Sequence, residues 1–175
     1  MSFLDFLFGR KRKDTQEQVL EKPEEAPKHA PGTQISYSPD LVPQLHEEHQ
    51  KLVEIFGMIN TAFAKNDLPL TAKFIDEFRR DIQAHLLTEN IRFYIYLEHS
   101  LEKDSESLYL VHSFRQEMDT IGKAVLAFLS QYKDIGTRPD YALPFGRDLE
   151  EVGKILVDRI RREEETLYPL YLPIY

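Results

Sequence analysis

Apolar residues recur in steps of three and four along four stretches of the chain, a spacing that puts each set on one face of an α-helix. The first stretch is expected from about Pro39 to Lys65, with Val42, Leu45, His49, Leu52, Phe56, Ile59 and Phe63 on its stripe. Asn66 and Asp67 end it, and Asp67 with Pro69 offers an N-cap and an early proline for the next helix. That second helix is expected to run to about Leu101, with Phe74, Phe78, Ile82, His85, Glu89, Phe93 and Tyr96 on one face. A third, from about Ser105 to Lys133, carries Val111, Phe114, Met118, Ile121, Val125, Phe128 and Tyr132. A loop containing Gly136, Pro139, Pro144 and Gly146 should follow. The fourth helix is then expected from about Asp148 to Tyr168, with Leu149, Val152, Leu156, Arg159, Glu163, Leu167 and Leu170. No strand pattern competes. The pattern predicts an all-α fold, an antiparallel up-down-up-down four-helix bundle over residues 39–175. The apolar, proline-interrupted end, YPLYLPIY, is expected to cap one end of it.

Two zones of different character precede the bundle. In residues 1–13, MSFLDFLFGRKRK, Phe3, Leu4, Leu7 and Phe8 would share one face of a short helix with Phe6 at its edge. Arg10, Lys11, Arg12 and Lys13 follow directly. Aromatic and leucine side chains beside a basic cluster suit the surface of an anionic membrane. The segment resembles the N-terminal membrane-targeting segment of the bacterial division-site protein MinE. The competing reading is a terminus whose phenylalanines dock on the bundle. Residues 14–38 include KPEEAPKHAPG and carry almost no large apolar residue after Leu20, the composition of an extended, solvated linker.

The informative departures from the stripes are polar. His49, His85, Glu89, Arg159 and Glu163 all fall on core faces, where an unpaired charge costs several kcal/mol. His85 and Glu89 stand one helical turn apart on one face, and so do Arg159 and Glu163. With EHQKL at Glu48–Leu52, HLLTENIRFY at His85–Tyr94, EMDTI at Glu117–Ile121 and RIRREEETLYP at Arg159–Pro169, the chain resembles the hemerythrin-like (HHE) family. That family repeats twice a histidine on one helix and His-x-x-x-Glu on the next. The resemblance implies a di-iron centre held by six such positions. On its register the first unit keeps His49, His85 and Glu89, while the second keeps only Glu163. Met118 and Arg159 stand at the other two places, with His112 the nearest alternative to Met118. Three outcomes follow. A metal-free layer, in which Arg159 lies between Glu89 and Glu163 and pairs with both, is the leading expectation, so no cofactor is expected. The alternatives are a single iron or other divalent metal on His49, His85, Glu89 and Glu163, or a rebuilt two-metal site. His46 is expected at the boundary of the core, and Glu164 and Glu165 are expected to face outward.

Charge and composition narrow the function. A formal net charge of -8 argues against a general nucleic-acid binder. The absence of cysteine excludes thiolate ligands, a cysteine nucleophile and a disulfide scaffold. No glycine-rich phosphate loop, GxSxG elbow or HExxH motif occurs, so no enzyme is expected. The short apolar start, with its basic residues after rather than before it, does not read as a secretory signal. The expectation is a cytoplasmic protein held peripherally at the inner membrane, its partners an anionic membrane surface and an unidentified protein. It would act as a regulatory or sensor module with a degenerate metal site. One alternative is a non-haem iron protein handling oxygen or reactive oxygen species. Another is an anti-sigma-type regulator, since LEEVGKILVDRIRREEETL resembles one helix of the bacterial regulators Rsd and AlgQ. The oligomeric state is not legible from the sequence.

Overall fold

The computed structural model of the chain describes residues 29–30 and 32–174. The residues from Phe3 to Lys13 expected to contact a membrane, and the start of the expected linker, therefore lie outside the described residues. Helix α1 spans Leu41–Ala64. It ends at Asn66, whose positive φ of 55° breaks the helical path. Helix α2, Leu68–Thr88, begins at Asp67, whose carboxylate accepts the backbone N–H of Leu70 at 3.0 Å. Asp67→Ala should remove that cap and cost about 1 kcal/mol. A urea melt reads it, and an unchanged midpoint would show the cap to be idle.

The second rod of the bundle continues without a break through a π-helical turn, Glu89–Tyr94, into α3, Ile95–Ser100. Helix α4, Ser105–Gln131, starts at Asp104, which caps Ser107 N–H at 3.1 Å. The last rod is α5, Ala142–Arg162, followed by a second π-helical turn, Glu163–Leu167, and a 3-10 turn, Tyr168–Leu170. Among the described residues there is no strand and no helix long and apolar enough to cross a membrane.

Helix α5 starts at Ala142, inside the stretch expected as a loop. Pro144 falls in its first turn, where a missing N–H removes no helical bond. Phe145 then docks in the core, fully buried against the rings of Phe63, Phe128 and Tyr132 at 4.9, 5.7 and 5.0 Å. Gly146 permits this approach, since a Cβ there would stand 3.0 Å from the Phe63 ring.

The core is two apolar clusters with a polar layer between them. One holds Leu52, Ile55, Ile59, Phe78, Ile82, Val125, Phe128 and Leu149. The other, at the opposite end, holds Leu41, Leu45, Phe93, Tyr96, Val111, Phe114, Leu167 and Tyr171. The C-terminal segment closes this second end. Tyr171 Oη accepts the N–H of Ser38 at 3.0 Å, and Tyr96 Oη donates to the carbonyl of Leu172 at 2.7 Å. The end of the expected linker belongs to the same cap, for Ile35 and Tyr37 pack on this cluster. Apolar side chains at those two positions, four and six residues after Pro31, supply what the polar stretch before them lacks.

Candidate metal centre

Each of the two π-helical turns begins at a glutamate of the polar layer, Glu89 in the first and Glu163 in the second. Such turns insert one extra residue into the helical path and often mark functional sites. Here they turn the following aromatics inward as well, so that Tyr94 and Tyr168, each five residues on, are buried. With His49 on α1 and His85 near the end of α2, the two glutamates form a compact set. One donor atom from each of the four lies within 4.8 Å of the others, and all four side chains are buried.

The orientation of the imidazoles is fixed from behind. His49 Nδ1 lies 2.9 Å from Glu164 Oε1, and His85 Nδ1 lies 2.9 Å from Glu48 Oε2. A carboxylate only accepts, so each Nδ1 must donate and each Nε2 is left with its lone pair facing inward. Glu48 is held in turn by Gln44 at 2.7 Å, and Glu164 by His46 at 3.1 Å. The two Nε2 atoms are 3.1 Å apart. Two acceptor nitrogens at that distance require a cation between them, either a proton or a metal ion.

The carboxylates point the same way. Both oxygens of Glu89 are buried without a hydrogen-bond partner, and so is Glu163 Oε2. Glu89 Oε2 stands 3.7 Å from His85 Nε2, and Glu163 Oε2 stands 3.5 Å from His49 Nε2. Burial, and then the nearby charge of Glu163, push the Glu89 carboxyl well above the usual carboxylate range. For His49, burial disfavours the protonated ring, but Glu163 and Glu164 outweigh it and raise the pKa. Negative charge contributes to both shifts, after burial for Glu89 and against burial for His49, and a metal ion would offset that charge. The donor pairs at 3.1, 3.5 and 3.7 Å suit bonds of roughly 2.0–2.2 Å to a common ion, and the whole set, within 4.8 Å, would draw in slightly around it. The four residues fit one metal.

Arg159, the fifth buried polar residue, is placed differently from the expectation. Its Nε donates to Glu163 Oε1 at 2.6 Å, Nη1 to Glu117 Oε2 at 3.0 Å and Nη2 to Tyr94 Oη at 2.7 Å. It makes no hydrogen bond to Glu89, so the expected Glu89–Arg159–Glu163 bridge is replaced by Glu117–Arg159–Glu163. The first π turn accounts for this. It aims Glu89 at the histidines and brings Tyr94 to the guanidinium instead. Arg162 holds the other oxygen of Glu117 at 2.8 Å. Both guanidinium groups lie over the Phe114 ring, at 4.7 and 4.9 Å.

The remaining histidines sort clearly. Met118 is the buried helix-α4 residue at the layer, whereas His112 is mostly exposed and faces Glu98 at 3.6 Å. His46 sits at the boundary, its ring edge-on to Tyr168 at 5.1 Å. Glu164, expected outward, is half-buried on His49, while Glu165 pairs outside with Arg161 at 3.0 Å. Tyr168 stacks on His49 with ring centroids 5.8 Å apart, and its Oη is 3.4 Å from His49 Nε2.

An apolar cavity of about 50 Å³ runs to this layer. Its walls include Val53, Phe56, Phe78, Val125, Leu156 and Val157, and its floor is His49, His85, Arg159 and Glu163. Val53 and Val157 are exposed and mark its outer end. Gly153 lies along it because a Cβ there would meet the Phe56 ring at 2.7 Å.

Glu48→Gln and Glu164→Gln should each weaken binding of a divalent metal by about 10–100-fold while the helical content is kept, since only the orientation and basicity of the ligand histidines change. Titration against a chelator reads it. Equal affinity in both variants would remove these carboxylates from the site.

The profile of the Hemerythrin HHE cation binding domain matches residues 40–171. No curated protein and no solved structure matched the chain.

Proposed function

The chain belongs to the hemerythrin HHE cation-binding family, and on that premise we propose that its bundle holds one divalent metal ion on His49, His85, Glu89 and Glu163. The observation that carries this reading is the pair of imidazole Nε2 atoms 3.1 Å apart, facing two buried glutamates whose inner oxygens have no partner. Of the six family positions, Met118 and Arg159 supply no ligand for a second ion, and the guanidinium stands on Glu163 where a second metal would otherwise share the carboxylate. Two histidines and two carboxylates suit iron, zinc or manganese. When bound, such an ion supplies a Lewis-acidic centre in a dry layer. The chain's own groups do the rest. Glu48 and Glu164 hold the imidazole tautomers, and the two apolar clusters exclude water.

The biological role we infer is regulatory, a metal-occupied bundle acting through contact with another protein rather than through turnover. Residues 1–13 would bring it to an anionic membrane surface. Deleting them is expected to release the full-length chain from anionic vesicles in a sedimentation assay, and equal sedimentation would end that part. The second reading, a protein that admits oxygen or reactive oxygen species, is favoured by the apolar cavity that reaches His49 and His85.

The test of the metal reading is elemental analysis of the untagged full-length protein after growth in iron-rich medium. About one metal per chain is expected. No metal after reconstitution would refute the reading, and two per chain would replace it with a dinuclear site.

A further inference from the structure

We propose that Arg159 restricts this centre to a divalent ion and holds it in that state, so that the metal is not oxidised in ordinary use. The inference rests on the single-metal reading above and deepens it by assigning the charge class of the ion. Arg159 is 1% exposed, and each of its three nitrogens is tied down, to Glu163, Glu117 and Tyr94. The guanidinium therefore cannot swing out to solvent when the charge of the layer changes. Nor can it lose its proton, so it is a permanent positive charge. It lies one carboxylate away from the metal place, with Glu163 Oε1 on the arginine and Glu163 Oε2 facing His49.

The count of fully buried charges follows from this. Ionised as ligands, Glu89 and Glu163 bring two negative charges and Arg159 one positive, leaving one negative. A divalent ion takes that buried set to one positive, and a trivalent ion to two. With a neutral residue at position 159, the same ions would give zero and one. Four further charged groups face the layer from outside. Glu48 and Glu164 stand behind the histidines, and Glu117 and Arg162 pair with one another. All four are partly exposed, so solvent screens them more than the buried three. The buried arginine thus penalises each added unit of positive charge on the metal at short range and in a poorly screened place. A divalent ion is tolerable because it leaves the buried set only one unit from neutrality.

The test compares the full-length wild type with Arg159→Gln, which removes the charge, and Arg159→Lys, which keeps it. Each is loaded with Fe2+, its stoichiometry measured, and the midpoint potential of the bound iron determined by spectroelectrochemical titration. In parallel, Zn2+-loaded protein is challenged with Ga3+ supplied as its citrate complex, gallium being a trivalent ion that does not change oxidation state. Arg159→Gln is expected to shift the balance toward the trivalent ion at least tenfold, a fall of about 59 mV or more for one electron. It should also take up Ga3+ that the wild type refuses. Arg159→Lys should stay near the wild type. One bound metal with the same potential and the same Ga3+ exclusion in Arg159→Gln would overturn the proposal, and so would a lysine variant that behaves like the glutamine one. Absence of metal from the wild type would instead refute the underlying single-metal reading. Should Arg159→Gln lack the helical circular dichroism of the wild type, the double variant E117Q/R159Q removes one of the two carboxylates that Arg159 holds, leaves Glu163 to be neutralised by the metal, and should shift in the same direction. An unshifted potential there would equally overturn the proposal.

Discussion

Saturating Zn2+ is expected to raise the melting temperature of the protein by about 10 °C, and His85→Ala is expected to abolish most of that rise. A ligand that binds only the folded state at about a thousand times its Kd stabilises by about 4 kcal/mol, and each kcal/mol moves a domain of this size by roughly 3 °C. The folded state alone assembles the site, because His49, His85, Glu89 and Glu163 come from three different rods and converge within 4.8 Å only in the bundle. His85→Ala removes one of two nitrogen donors and leaves Glu48 with Gln44 alone. Differential scanning fluorimetry with and without metal reads both values. A wild type whose melting temperature is indifferent to Zn2+, Fe2+ and Mn2+ alike would dismiss the site, whatever its geometry.

The second large effect is on the fold itself. Arg159→Met should cost about 3–5 kcal/mol, because it strands Glu163 in a dry layer, takes the guanidinium from Tyr94 and leaves Glu117 with Arg162 alone. In urea this corresponds to a midpoint lower by roughly 2 M for a domain of this size. The same substitution combined with Glu117→Gln should cost less than the sum of the two singles, by about 0.5–3 kcal/mol, since the two residues share one network. A methionine variant as stable as the wild type would show that the arginine contributes no net stability, the outcome seen when well-packed apolar residues replace a whole ion pair.

Taken together, the two expectations place the structural weight of the layer on one side and its chemistry on the other. Arg159, Glu117 and Arg162 hold the rods of the second repeat together, and Tyr94 ties them to the first, through hydrogen bonds that are already complete. His49, His85 and Glu89 hold one another only poorly without a cation, as the unpartnered oxygens of Glu89 and the facing Nε2 atoms show. Glu163 belongs to both sides, one oxygen to each. Loss of metal is therefore expected to loosen the first repeat more than the second, a difference that amide hydrogen exchange along α1 and α2 would reveal.

How much of this was legible beforehand depended on whether the signal was local. The stripes Leu45–His49–Leu52 and Ile82–His85–Glu89 specify which side chains turn inward, because a helix repeats every 3.6 residues whatever surrounds it. Four amphipathic faces of that kind can be buried only against one another, so the bundle and the inward placement of His49, His85, Glu89, Arg159 and Glu163 follow from the amino-acid order alone. The tertiary structure decided the rest. Glu48, Glu117 and Glu164 sit one residue off the stripes, and their carboxylates become part of the site only because neighbouring rods bring His85, Arg159 and His49 within reach. The π turns at Glu89 and Glu163 have no local marker, since one extra residue in a turn is stabilised by what it packs against. They turned Tyr94 toward Arg159 and left Glu89 free of it. Pairing among buried charges is set by distances across the bundle, and distances across the bundle are not written along any one helix.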